Sequence, residues 1–190
     1  LKKIIYIVFI VFAGCSVFNT SKKTSKAKDS IEKNDNSIPS EIAKLNATTD
    51  SLIKISDKME FSTKYITTRI IEGSLQFFDR SLLETGSGGF VTNIYTNQKT
   101  NEVVKAEYYQ TINYKDTTNV TSGRLEITIY YKKENAYFAI YNNRERDKEN
   151  VISDEKYYFQ LNNTEKHTND SQKKTIKYIL GLSEEILSEK

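Results

Sequence analysis

The chain has 190 residues, of which 37% are hydrophobic and 28% charged, with a formal net charge of +3. Once a leader and a polar stretch are set aside, that length leaves room for one domain of roughly 120 to 150 residues. The composition is too apolar for a wholly disordered chain and too polar for a multispanning membrane protein, and so small a basic excess carries no nucleic-acid footprint.

Lys2 and Lys3 form a positive start, and residues 4–13 are an unbroken apolar run. A run of that length matches the central region of a signal peptide and is short for a membrane span. It ends in Ala13-Gly14-Cys15-Ser16, small residues directly before the single cysteine of the chain. One cysteine excludes an intramolecular disulfide and any site built of several thiolates, and an unpaired cysteine in an exported protein asks for a separate explanation. This segment resembles the lipobox of bacterial lipoproteins. The resemblance implies diacylglycerol on the Cys15 thiol, cleavage between Gly14 and Cys15, and acylation of the new amino group. Loss of Lys2 and Lys3 with residues 1–14 would lower the charge from +3 to +1. Each buried CH₂ of an acyl chain contributes about 0.8 kcal/mol, so two or more chains suffice for stable anchoring.

Residues 15–39 comprise the lipidated cysteine and a polar stretch of Ser, Thr, Lys, Asn and Asp closed by the sole proline, Pro39. Such a composition reads as a flexible tether. Its lysines, Lys22, Lys23, Lys26 and Lys28, serve solubility or touch anionic head groups. Residues 40–190 are expected to form the single domain.

After Pro39, Ile42, Leu45, Leu52, Ile53, Met59, Ile66, Ile70 and Ile71 recur at three- and four-residue steps, which predicts a helix with Ser40 at its N-cap. Residues 46–50 and the β-branched run 65–71 weaken that pattern, leaving open a break or a strand from Tyr65 onward. Gly86-Ser87-Gly88-Gly89 is expected as a turn, since it lacks the lysine and following helix of a phosphate-binding loop. From residue 90 to 161 the period changes to two, with strands expected at 90–95, 103–112, 124–132, 136–142 and 155–161. Alternation is clearest where Leu125, Ile127, Ile129 and Tyr131 interleave with Glu126, Thr128, Tyr130 and Lys132, which predicts one face on a core and one toward water. A last helix, capped within Asn169 to Ser171, carries Ile176, Ile179, Leu180, Ile186 and Leu187 at helical spacing. The expected fold is α+β: a single antiparallel β-meander of about five strands packed by an N-terminal and a C-terminal helix. The order of leader, lipobox, tether, helix, tyrosine-rich meander and charged helix is also similar to that of small Gram-negative lipoproteins, a resemblance that implies no function.

The sequence carries no catalytic or cofactor motif. His167, the only histidine, lies in a polar stretch and reads as a loop residue. Asp147, Glu149, Asp154 and Glu155 surround an expected loop without the spacing or glycine of a calcium site. No metal ligands and no cofactor are expected. The distinctive feature is tyrosine, with adjacent pairs at Tyr108-Tyr109, Tyr130-Tyr131 and Tyr157-Tyr158. If the face with Ile127, Ile129 and Phe138 is buried, then Tyr109, Tyr130, Tyr137, Tyr141 and Tyr158 point outward. Amphipathic rings on a rigid sheet suit recognition of a protein or glycan, although tyrosine also suits half-buried strands for packing alone. The expectation is a non-enzymatic lipoprotein of the cell envelope, held at a membrane, by sorting analogy the outer membrane, and binding a protein or envelope polymer. The alternatives are an inhibitor with a protruding loop at residues 142–154, a lipid carrier with a cavity behind the sheet, or a cell-wall hydrolase with two facing carboxylates.

Overall fold

The computed structural model describes residues 38–78, 84–114, 122–147, 150–162 and 169–189. The leader, Cys15, the tether lysines, Glu149 and His167 lie outside the described residues.

Helix α1, Ser40–Ser56, leads through a short 3₁₀ turn, Phe61–Thr63, into six strands. These are β1 (Ile66–Phe78), β2 (Glu84–Asn97), β3 (Glu102–Tyr114), β4 (Ser122–Lys132), β5 (Asn135–Asp147) and β6 (Asn150–Gln160). Helix α2, Asp170–Ser188, closes the chain. The strands form one antiparallel sheet in the order β1-β2-β3-β4-β5-β6. The expected α+β meander with a helix at each end is therefore the fold, with six strands where about five were expected.

The additional strand is β1. Ile66, Ile70 and Ile71 do not extend the helix: α1 stops at Ser56, and the β-branched run beyond it pairs with β2 instead. Ser40 is the first helical residue, and Pro39 occupies the N-cap position, its carbonyl accepting from Ala43 N at 2.9 Å. At α2 the expected cap holds, with Asn169 Oδ1 accepting from Ser171 N at 2.9 Å. The glycine cluster is not a turn but the first half of β2, where it pairs with both β1 and β3. A Cβ at Gly88 would run into the carbonyl oxygen of Thr111, and one at Gly73 into the Phe90 ring. These glycines permit close approach of backbone and ring rather than a change of chain direction. The described residues within 142–154 likewise belong to strands rather than to a protruding loop, since β5 and β6 continue as a pair out to Asp147 and Asn150.

The register defines two faces. On the first, Ile94, Ala106, Ile129, Ala139 and Phe159 form one cross-sheet row. Ile176, Ile179, Ser183 and Ile186 of α2 are buried, and the three isoleucines pack with that row in the main core. Leu125, Ile127, Ile129 and Tyr131 share this side, as their alternation predicts. On the opposite face, Tyr95, Lys105, Tyr130, Phe138 and Gln160 form a row. Asn46 and Asp50 of α1 bond to Tyr137 and Lys105 there. Ile53, Ile66, Tyr130 and Phe138 are buried outside the main cluster and make a second, smaller core. The sheet is thus flanked by a helix on each side.

Candidate functional site

Residues 46–50, which in the sequence weaken the helix, are the ones that fasten α1 to the sheet. Lys105 Nζ donates to Asp50 Oδ1 at 2.7 Å and pairs with Glu107 Oε1 at 2.8 Å. The Tyr130 hydroxyl donates to Asp50 Oδ2 at 3.0 Å, and the Tyr137 hydroxyl to Asn46 Oδ1 at 2.8 Å. Glu107 Oε2 accepts from Tyr95 at 2.9 Å and from Tyr109 at 3.3 Å. The ammonium of Lys105 also lies 5.3 Å from the Tyr130 ring centroid and 5.8 Å from that of Tyr95, within cation–π range.

These contacts set the charges. Burial alone would lower the pKa of Lys105, but its bonds to Asp50 and Glu107 outweigh burial and raise it. Burial likewise opposes ionisation of Glu107, yet Lys105 and the two tyrosine hydroxyls hold its pKa below the usual carboxylate value. Tyr130 is pushed up to about 12, mainly by burial and also by the Asp50 carboxylate. Each of these groups is displaced away from neutrality, opposite to the tuning that serves proton transfer near pH 7. The cluster therefore works as a clamp between helix and sheet.

The five tyrosines singled out in the sequence do not form one outward row. Tyr130 is buried and Tyr137 half-buried, both bonded to α1. Tyr141 is on the α2 face, paired with Ile127 and 6.4 Å from the Tyr157 ring. Phe138, expected beside Ile127 and Ile129, faces α1 with Tyr130 and stacks on Tyr158 at 6.4 Å. The cause is a bulge: the β4–β5 register shifts between Tyr130 and Tyr131, so Tyr130 opposes Phe138 while Tyr131 opposes Ala136. The extra residue, Tyr137, is directed toward α1 alongside Phe138. Tyr109 and Tyr158 remain half-buried on the α1 face.

Tyr109 belongs to the part of this face that α1 leaves uncovered, whereas Tyr158 stays against the buried Phe138. Helix α1 lies across the strands rather than along them: Asn46 meets Tyr137 on β5, Asp50 meets Tyr130 on β4 and Lys105 on β3, and Ser56 Oγ accepts from Ile66 N on β1 at 3.0 Å, all toward one end of the sheet. Beyond the helix, Glu72, Val91, Tyr109, Glu126, Asn142 and Lys156 cross the sheet side by side. The next row on the same side includes Gly89, Thr111, Arg124, Arg144 and Asp154. Arg124 pairs with Glu126, whose second oxygen accepts from Asn142 Nδ2 at 3.2 Å. Arg144 donates to Asp154 Oδ2 at 2.7 Å. The missing side chain at Gly89 leaves a shallow depression of about 350 Å³, lined by Glu72, Val91, Phe90, Tyr109 and Thr111. This strip of fixed charges, one open ring and a groove is the candidate binding surface.

Sequence reasoning did not single out Asp50, Lys105 or Glu107. A signal existed: Lys105 stands inside the apolar run Val103-Val104-Lys105-Ala106, and Asp50 falls four residues after Asn46 and three before Ile53, on the buried side of α1. Among the described residues, no group of three or more His, Cys, Asp or Glu side chains is placed to hold a metal ion, and no helix is long and apolar enough to cross a membrane. No protein-family model matches the chain, and no curated protein or solved structure matches it.

Proposed function

We propose that this chain is an envelope lipoprotein, anchored through Cys15, whose domain binds a protein or wall polymer without catalysing a reaction. The observation that carries the reading is the uncovered part of the α1 face, where Tyr109 borders a groove and the flanking charges are already paired with one another. Paired charges on a rigid sheet present fixed donors and acceptors at little cost in ordering, which suits recognition of a polar partner. The polarised but clamped Lys105–Asp50–Glu107 cluster supports a structural role for the site's one buried cation. Anchoring is supported by the lipobox resemblance at Ala13-Gly14-Cys15-Ser16.

Two variants test the surface, Tyr109→Ser and Glu126→Lys, each compared with the native chain for capture of envelope proteins and for sedimentation with purified peptidoglycan. A partner retained by the native chain should bind at least about tenfold more weakly to both variants, the loss typical of an interface anchor. Equal retention by variants with unchanged circular dichroism would exclude this surface as the site.

A further inference from the structure

We infer that the outer flank of α1, continued by Phe61 and Tyr65, is a membrane-docking surface that lays the domain on the bilayer to which Cys15 is tethered. The inference rests on the reading of Cys15 as the anchor. Helix α1 turns Asn46, Ile53 and Ser56 inward. Leu45, Leu52 and Ile55 fall on a stripe beside that buried face and are exposed, Ile55 to 51%. The chain then presents Phe61 at 74% exposure and Tyr65 at 55%. Five large apolar side chains thus lie open within a 21-residue segment, where isolated exposed hydrophobics would need no explanation. An exposed phenylalanine and tyrosine following an aliphatic stripe in the chain suit the boundary between head groups and acyl chains.

The segment's nearness in sequence to Cys15 makes the bilayer its occupant. Ser40, the first residue of α1, is 25 residues after Cys15, and the polar composition of the intervening sequence implies an average span of about 25 to 30 Å. Tethering at this range gives an effective concentration on the order of millimolar, so a stripe too small to bind lipid from solution suffices once the chain is anchored. The lysines of this segment, Lys44, Lys54, Lys58 and Lys64, are matched in number by Glu41, Asp50, Asp57 and Glu60. Docking is therefore apolar and does not require anionic lipid.

The absence of tryptophan from the chain makes a single-reporter test possible. The mature chain, residues 15–190, carrying Ile55→Trp, is coupled through Cys15 to maleimide-headgroup lipid in phosphatidylcholine vesicles, with either plain or brominated acyl chains. Phe61→Trp provides a second reporter outside the helix, and Val151→Trp, at an exposed position on β6, the control. Emission from the first two should be blue-shifted and quenched at least about twofold by brominated chains, with the control unaffected, as for side chains at the acyl boundary. Equal emission in both kinds of vesicle from Ile55→Trp and Phe61→Trp would overturn the inference, as would quenching of the control to the same extent. A concentration-dependent blue shift without quenching would place a second copy of the chain on this flank and also overturn it. Coupling through maleimide separates the two questions, since the mass of the native exported chain independently reports whether Cys15 is acylated.

Discussion

Tyr130, Tyr131, Tyr137 and Tyr141 each have a hydroxyl pushed up to about 12, in every case first by burial. Nearby carboxylates add to the effect, Asp50 at Tyr130 and Tyr137 and Glu155 at Tyr141. A pKa raised above its unfolded value of 10.0 contributes stability that is complete below pH 10 and is lost as pH rises toward 12. Phenolate absorbance should accordingly show a group of tyrosines that stay protonated past pH 10 and ionise together with loss of structure. A single smooth titration centred on pH 10 would contradict the buried placement of these rings. Glu107 has the opposite sign: its lowered pKa gives stability present above the ordinary carboxylate range and lost as pH falls through the lowered value. Glu185, raised by burial on α2, partly offsets that loss on the acid side.

At the level of elements, the hairpin turns show how local chemistry and geometry can disagree. Lys133 and Glu134 join β4 to β5 with φ of 51° and 60°, both in the left-handed region. Two such residues make the turn that matches strand twist, for which Asn-Gly is the preferred pair. Replacing both residues, Lys133→Asn with Glu134→Gly, should raise stability by about 1 kcal/mol, measured by denaturant midpoint at unchanged slope. No gain would mean that the native side chains compensate for the strain. The strand pattern around this turn was legible in part. Leu125, Ile127, Ile129 and Tyr131 alternate cleanly and do face α2. The phase of β5 was not legible, because a bulge is set by the partner strand, and within its own sequence Phe138 looks equivalent to its neighbours. The segment 65–71 was ambiguous for a similar reason: isoleucines at three- and four-residue steps fit a helix, while their β-branching favours pairing with β2.

For the molecule as a whole, the two helices are attached unequally. Under α2 lies the main cluster, from Ile94 on β2 to Phe159 on β6. Under α1 the buried apolar residues are Ile53, Ile66, Tyr130 and Phe138, supplemented by the Asp50 and Asn46 bonds. Hydrogen exchange should therefore find α1 opening before the centre of β4, since elements with fewer buried apolar contacts open at lower free energy. Lys105→Met removes the clamp from a partly buried pair and should speed exchange in α1 roughly tenfold while changing the amides of Ile127 and Ile129 less. Protection in α1 equal to that of β4 would refute the unequal attachment. The helices themselves were legible from periodicity, but which face each covers was not, since Asp50 and Lys105 read in sequence as ordinary surface charges. In an uninterrupted meander, every strand finds its hydrogen-bonded neighbour next in sequence. Assembly then needs no segment to wait for a distant one, and most closures span a single hairpin. A chain delivered residue by residue from its amino end could add strands in their order of emergence. The larger core would be completed last, when α2 arrives to cover it.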